Sequence, residues 1–275
     1  MLSDFFNLWF LSMIEKKYLL NEVIDLVGVL TFNNDSKRNS LNTEMLREIQ
    51  VALKEFIDEK VRVLIIRAQK GVRVWSAGFD INELPEPGQD PLSYNDPLEV
   101  TIRALQRFPS PVIAMIEGSV WGGACDLAFV CDILIGTFNA SFAITPAKIG
   151  VPYNPSGIEH FVNMVGVHLA KEMFFTALPI NAQQAKHHGI LNHLVTDPDK
   201  LEEFTWFTAN QIRQNSPLSI SVIKEQLRIL ANSNTISAET FERIQGLRRE
   251  VYNSKDYTEG INAFKEKRKP LFTQE

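Results

Sequence analysis

Short apolar runs alternate with amphipathic segments along about the first 150 residues of the chain. Runs rich in β-branched residues predict strands over residues 22–32, 61–68, 111–118, 132–137 and 140–144. Apolar residues spaced three and four apart predict helices over 43–60, capped by Thr43, and over 96–108, capped by Asp96. From about Gly157 onwards the helical spacing dominates. The pattern therefore predicts an α/β core followed by a helical C-terminal region.

We divide the chain into an N-terminal extension (1–16), a core (17–205) and a C-terminal helical region (206–275). The extension begins MLSDFFNLWFLSM and lacks the positive flank and small-residue cleavage site of a signal peptide. It is interpreted as an upstream start or a loosely packed extension, with Met13 opening the fold; a membrane- or partner-docking helix is the alternative.

Two glycine-containing loops follow buried strands, and each is expected to open a short helix. They are SAGFD (76–80) and WGGAC (121–125). The first turn of a helix presents backbone N–H groups that have no partner inside the helix. Two such turns facing each other would form an oxyanion hole, although glycines also serve tight packing of a strand on a helix.

The composition, charge and absent motifs of the chain disfavour several classes of function. The chain has 275 residues, a net charge of −5 and 22% charged residues, which is unfavourable for binding nucleic acid. Cys125 and Cys131 are interpreted as reduced core residues, which fits a cytoplasmic protein. No metal-ligand spacing, no membrane-spanning apolar run, no phosphate-binding GxxxxGK[ST] loop, no GxGxxG dinucleotide fingerprint and no GxSxG nucleophile elbow occurs in the sequence.

The chain resembles the crotonase (enoyl-CoA hydratase/isomerase) family from about residue 17 to 273. The resemblance rests on the order and spacing of NSLN, SAGFDI, EGSVWGGACDLAFVCD, PAKIGVPYNPSG and EGINAFKEKRKP. It implies a spiral of repeated ββα units with a C-terminal helical region for trimerisation, as a homotrimer or a dimer of trimers. It also implies an acyl-CoA substrate, with CoA entering as part of that substrate and no separate cofactor or metal.

The resemblance implies the positions of the site residues. The thioester oxygen would bind the backbone N–H groups of Phe79 and Gly123. CoA would be held mainly by backbone, and Thr145 would lie near the acyl end. The residues implied in CoA or substrate binding are Ala77, Gly78, Phe79, Asp80, Ile81, Gly122, Gly123 and Thr145.

The two positions where hydratases of this family carry acid/base carboxylates differ in this chain. Asp126 stands where the first glutamate is expected, and Pro146, which cannot transfer a proton, stands at the second. Decarboxylation of a malonyl-type thioester needs only stabilisation of an enolate. Within the family, the motifs look closer to members that convert methylmalonyl-CoA to propionyl-CoA, in which a tyrosine equivalent to Tyr153 lies near the leaving carboxylate.

Two departures keep other functions open. Phe79 stands where the decarboxylating relatives carry histidine, so the imidazole is lost while the N–H remains. Asp126 is one methylene shorter than the glutamate expected there, and could equally be a structural residue. The alternatives are an enoyl-CoA hydratase or isomerase that relies on Asp126, and a non-catalytic CoA-binding protein.

The basic C-terminal segment is predicted to be an amphipathic helix, with Phe264 and Lys267 on one face. Cations near a helix C-terminus are favourable in themselves, which is sufficient to explain the segment. The resemblance implies instead that this face covers the CoA of a neighbouring subunit, with Phe264 near the adenine and Lys267 near a phosphate.

Overall fold

Six successive strands in the middle of the chain alternate between two sheets. The computed structural model describes residues 17–86, 88–89, 92–231 and 237–273, so the predicted extension lies outside the described residues. The strands are β1 (Leu19–Ile24), β2 (Val27–Phe32), β3 (Val63–Ala68), β4 (Val74–Ser76), β5 (Val112–Ile116), β6 (Ser119–Trp121), β7 (Ile133–Thr137), β8 (Ser141–Ala143), β9 (Ile180–Asn181) and β10 (His193–Val195). The helices are α1 (Thr43–Asp58), α2 (Pro97–Gln106), α3 (Gly123–Phe129), α4 (Pro155–Thr176), α5 (Ala182–His187), α6 (Leu201–Arg213), α7 (Pro217–Ala231), α8 (Ala238–Tyr252) and α9 (Lys255–Lys265).

The larger sheet has the order β1-β2-β3-β5-β7-β10, and the smaller has the order β4-β6-β8-β9. Within each sheet the strands of successive repeats pair in parallel, as β3 does with β5 and β4 with β6. One strand in each sheet and then a helix make one turn, so β3-β4-α2, β5-β6-α3 and β7-β8-α4 are three turns of a spiral. This confirms the predicted ββα architecture.

The inner strands of the large sheet, β2, β3, β5 and β7, are buried on both faces, which explains their nearly continuous apolar sequence. In β3, Leu64 and Ile66 pack into the main core, while Val63 and Ile65 point to the opposite face. That second face is covered by α6, through residues that include Leu201. Helix α6 runs across residue 205, and the domain boundary placed there stays a prediction.

The single strand predicted over residues 22–32 is wrong, because it is a β-hairpin. Strands β1 and β2 pair antiparallel around Asp25 and Leu26. Both residues have positive φ, 48° and 66°, which is typical of the two-residue turn that matches the twist of a hairpin. The turn lacks the Asn-Gly or Asp-Gly sequence that usually marks it.

Side-chain caps fix where the first two long helices begin. The cap predicted at Thr43 lies one residue earlier, since the Asn42 side chain accepts a hydrogen bond from the Met45 N–H. The cap predicted at Asp96 is confirmed, because its carboxylate accepts from the Leu98 N–H. Such caps contribute about 1 kcal/mol each to helix stability.

The C-terminal helices differ in how closely they pack on the core. A Cβ on Gly260 in α9 would lie 2.2 Å from the Ile149 carbonyl oxygen, so this helix packs directly on the segment before Tyr153. Tyr252 and Tyr257 form a small buried cluster with Val151. Helix α7, by contrast, has no buried residue.

Candidate active site

The two glycine loops meet at a distance that excludes any side chain. Gly78 has φ +83°, and a Cβ there would lie 2.3 Å from the Trp121 carbonyl oxygen and 3.1 Å from the Gly123 nitrogen. Gly122 has φ +50° and ψ −122°, a conformation that residues with a side chain avoid. Gly78 is therefore required by the approach of one loop to the other, and Gly122 by its backbone conformation.

This approach places the amides of Phe79 and Gly123 side by side. A Cβ built on Gly123 would lie 3.6 Å from the Phe79 nitrogen. The neighbouring amides already have hydrogen-bond acceptors within the protein. Ala77 N–H donates to Arg38 O at 2.9 Å, Asp80 N–H to Leu41 O at 3.2 Å, and Gly122 N–H to Ala143 O at 2.8 Å. Among the hydrogen bonds of the described residues, neither Phe79 N–H nor Gly123 N–H has an acceptor. Two adjacent free donors suit an oxyanion.

The amide of Phe79 does not belong to the first turn of a helix, contrary to the sequence prediction. The short helix after it covers only Ile81–Glu83 and is capped by Asp80. Phe79 instead forms a β-bridge with Leu41. Gly123, in contrast, is the first residue of α3, so the helix dipole supports only one of the two donors.

Hydrogen bonds with Asn39, in the NSLN segment, hold the first glycine loop in place. The Asn39 amide donates to Trp75 O at 3.1 Å, and the Ser76 hydroxyl donates to Asn39 O at 2.6 Å. Asn39 and Ser76 are both buried, so these hydrogen bonds are costly to break. The position of the Phe79 amide therefore depends on NSLN as well as on SAGFD.

Tyr153 reaches the second glycine loop. Its hydroxyl donates to Gly122 O at 3.4 Å, and its ring packs edge-on against Phe161 and Phe174. Burial, followed by the nearby Asp126 carboxylate, raises the pKa of Tyr153 well above its ordinary value. The tyrosine is therefore a neutral donor that binds the peptide group between Gly122 and Gly123 on its carbonyl side.

Asp126 lies one helical turn after Gly123, but its carboxylate is directed elsewhere. Its side chain is 2% exposed, and Oδ1 lies 2.7 Å from His160 Nδ1. The other ring nitrogen of His160 lies 2.8 Å from Gln106 Nε2. Burial lowers the pKa of His160, but the hydrogen bond to Asp126 and the surrounding carboxylates outweigh it, so the pKa is raised. The pair links α3 to α4 through a buried hydrogen bond.

A second buried carboxylate, Glu99 on α2, lies in the same region. It accepts hydrogen bonds from the Asn154 amide and, at 2.9 Å, from the Ser156 hydroxyl. Burial raises its pKa to about 6, although the Ser156 hydrogen bond lowers it. Sequence reasoning missed both Glu99 and His160. The available signal was a glutamate beside Leu98 and Ile102 on the apolar face of a predicted helix.

The remaining predicted residues lie farther from the amide pair. Thr145 and Pro146, both half-buried, begin a short helix two residues after Ala143, whose carbonyl holds the Gly122 N–H. The prediction that Phe264 and Lys267 share a helical face is wrong. Helix α9 ends at Lys265, and Lys267 has φ +56°, so it lies beyond the helix in a left-handed conformation.

Three further observations concern the described part of the chain. It contains no group of three His, Cys, Asp or Glu side chains arranged to hold a metal ion. None of its helices is long and apolar enough to cross a membrane. Cys125 and Cys131 are free and buried, as the sequence predicts.

Known proteins resemble this chain over nearly its whole length. The methylmalonyl-CoA decarboxylase of Escherichia coli K12 is 47% identical over 256 residues, which is 93% of this chain and 98% of the relative. The short-chain-enoyl-CoA hydratase of Clostridium acetobutylicum is 29% identical over 244 residues, 88% of this chain and 92% of the relative. A crystallised methylmalonyl-CoA decarboxylase in complex with 2-nitronate-propionyl-CoA matches with a TM-score of 0.91 and 46% identity, covering 94% of this chain and 99% of the other.

The model of the enoyl-CoA hydratase/isomerase family matches residues 23–275. This range includes both glycine loops, Tyr153 and the C-terminal helices. The protein belongs to the enoyl-CoA hydratase/isomerase family, the crotonases.

Proposed function

We propose that the protein is a carbon–carbon lyase that converts methylmalonyl-CoA to propionyl-CoA and CO2. The observation that carries this proposal is the pair of free amides at Phe79 and Gly123, beside a buried neutral Tyr153. The identity of 47% to a methylmalonyl-CoA decarboxylase supports the same reaction. The protein would thus use this site on a malonyl-type thioester.

The proposed chemistry needs few groups. The thioester oxygen accepts hydrogen bonds from the Phe79 and Gly123 amides. The bond between Cα and the carboxylate breaks, its electron pair moves into the thioester, and an enolate oxyanion and CO2 result. Each amide is expected to stabilise the oxyanion by about 3–4 kcal/mol. Cα then takes up a proton from water, so no added cofactor or metal is required.

Tyr153 is proposed to orient the carboxylate that leaves. Its bond to Gly122 O is long at 3.4 Å, so the hydroxyl can turn to a substrate oxygen at little cost. The carboxylate must stand perpendicular to the thioester plane for its electrons to enter the carbonyl. A neutral donor in an apolar wall can hold that orientation without stabilising the charge as strongly as a cation would.

The contacts of Asp126 are unfavourable for hydration of an enoyl-CoA. A hydratase needs two groups to position and split water, and here Asp126 is held by His160 at 2.7 Å. Pro146 has no group that exchanges protons. We therefore assign Asp126 a supporting role within the proposed site, in which its contact with His160 holds α3 against α4.

CoA is proposed to run along the backbone at Ala77, Gly78, Asp80 and Ile81, with Gly122 and Thr145 near the acyl group. We further propose assembly as a homotrimer or a dimer of trimers, in which Phe264 and Lys267 approach the CoA of a neighbouring subunit. An apolar groove of about 580 Å³ beside α7, lined in part by Phe129, Met164, Ile223 and Leu227, supports such an interface. A cytoplasmic location stays a prediction.

The test of this function compares two substrates. The protein is incubated with methylmalonyl-CoA while CO2 release is followed, and with crotonyl-CoA while the enoyl absorbance is followed. We expect CO2 release and negligible hydration. Rapid hydration without CO2 release would overturn the proposal in favour of a hydratase.

A further inference from the structure

Helix α2 contacts both the Gly123 loop and the segment that carries Tyr153. Leu98 of α2 packs against the second glycine loop, since a Cβ built on Gly123 would come within 2.8 Å of the Leu98 Cδ2 atom. The next residue, Glu99, accepts hydrogen bonds from Asn154 and Ser156, which follow Tyr153 in the chain. Adjacent residues of α2 thus contact the amide donor and the segment that carries the tyrosine.

We propose that Glu99 is a positioning residue, whose ionised carboxylate holds the Tyr153 segment in register with the Gly123 amide. The inference rests on the decarboxylase function proposed above and adds to it a residue that does not touch the substrate.

The hydrogen bonds around Asn154 support this role. Asn154 occupies the N-cap position of α4, where an asparagine side chain usually accepts a hydrogen bond from the helix backbone. Its side chain makes no such bond and instead donates to Glu99 and, at 2.8 Å, to the Ser156 hydroxyl. The start of α4 is therefore tied to α2 rather than capped by its own residue.

The burial of Glu99 indicates that its contacts are specific. Its side chain is 6% exposed, and the guanidinium of Arg103 lies 3.6 Å away. A buried carboxylate is costly unless it is paired and hydrogen-bonded. An apolar residue could fill the same space without that cost, so the presence of a carboxylate here fits a demand for placement rather than for stability alone.

Charged groups face Glu99 from several elements. They are Arg103 on its own helix, Asp126 on α3, and Glu159 and His160 on α4. A cavity of about 280 Å³ on this side is also lined by Tyr94 and by Arg248 of α8. Burial, together with the negative charge of Asp126, dominates over the nearby cations, which places the pKa of Glu99 at about 6.

The proposed role gives a defined pH dependence. The ionised carboxylate accepts both hydrogen bonds, whereas the protonated form keeps one acceptor oxygen and presents a donor instead. Since the pKa is about 6, the ionised form predominates above that pH and is lost below it. The kcat should therefore fall on the acid side near pH 6, with little change in KM.

The experiment measures kcat and KM for methylmalonyl-CoA between pH 5 and 8 in the wild type, Glu99→Gln, Ser156→Ala and Glu172→Gln. Glu99→Gln should lower kcat about 10- to 100-fold at pH 7.5, the loss expected when a group that contacts the substrate is slightly misplaced. It should also remove the acid limb of the pH profile, which is the fall in kcat near pH 6. Ser156→Ala retains the carboxylate but removes a hydrogen bond that lowers its pKa, so the limb should move to higher pH. Glu172→Gln, the matched control, removes an exposed carboxylate farther along α4 and should keep the wild-type kcat and limb.

Several outcomes would overturn the inference. One is Glu99→Gln with wild-type kcat or with an unchanged acid limb. If circular dichroism shows that Glu99→Gln is unfolded, Ser156→Ala decides, and a limb that stays in place rejects Glu99. A wild type that releases no CO2 would instead reject the proposed function, so the two failures are distinguishable.

Discussion

The large sheet and helix α7 have similar apolar sequences but opposite environments. All five residues of β5 are buried between two layers. In α7, Leu218 is 74% exposed and Leu230 is 69% exposed, and no residue of the helix is buried. The core thus buries its apolar surface within one chain, whereas α7 leaves apolar side chains exposed among the described residues. Apolar spacing identifies a face that needs a partner, but not which chain supplies it.

The same contrast separates the proposed roles of the two regions. The core contains the amide pair and Tyr153, which are proposed to act on the reacting atoms. The C-terminal helices are proposed to supply assembly and contacts to CoA. Substitutions in the core should therefore change kcat, and substitutions in the C-terminal region should change association or KM.

The largest effect is expected at Gly123. Gly123→Pro removes the N–H while proline remains acceptable at the first position of a helix. We expect kcat for CO2 release to fall about 100- to 1,000-fold, the cost of one oxyanion-hole donor. Gly123→Ala is the matched control, because it adds the same contact with Leu98 but keeps the N–H. Equal losses in both variants would attribute the effect to crowding.

The next largest effect is expected on assembly. The double variant Leu227→Glu/Leu230→Glu replaces two exposed leucines of α7, each of which would contribute about 1.5–3 kcal/mol if buried. The association constant, measured by sedimentation, should fall about 100-fold or more. Gln226→Glu adds charge to the same helix without removing apolar surface and serves as the control. An unchanged mass for the double variant would exclude α7 as the interface.

A smaller effect is expected at Tyr153. Tyr153→Phe removes the hydroxyl proposed to orient the leaving carboxylate, and a hydrogen bond to a charged group is worth about 1.5–3 kcal/mol. We expect kcat to fall about 10- to 100-fold with KM nearly unchanged. Tyr257→Phe is the control, since it removes another hydroxyl that donates to a backbone carbonyl, that of Pro85 at 3.2 Å. Should both variants retain wild-type kcat, Tyr153 would be a packing residue.

The smallest effect is expected at Lys267. An exposed charge pair contributes up to about 1 kcal/mol, so Lys267→Ala should raise KM about two- to fivefold and leave kcat unchanged. The inhibition constant of free CoA should rise by the same factor, because the contact does not change during the reaction. Lys269→Ala, another exposed lysine in the same segment, should have no effect. A change in kcat at Lys267 would contradict the separation between the two regions.

Much of the fold was predictable because its causes are local. Strands β3, β5, β7 and β8 lie inside the predicted ranges, since buried parallel strands require nearly continuous apolar residues. The hairpin at Asp25 and Leu26 was missed because its two left-handed residues include no glycine. The short strands β4 and β6 were also missed, because three residues are too few for a period to be visible.

The sequence by itself determined the family and the two glycine loops, because motif order and glycine position are properties of the chain. Only the tertiary structure decided that Phe79 and Gly123 present their amides together, since the two loops are distant in sequence and meet through Trp121. Likewise, the contacts of Asp126 with His160 and of Glu99 with Asn154 join residues 34 and 55 positions apart. Local spacing cannot determine such pairs, because they depend on how the turns of the spiral stack.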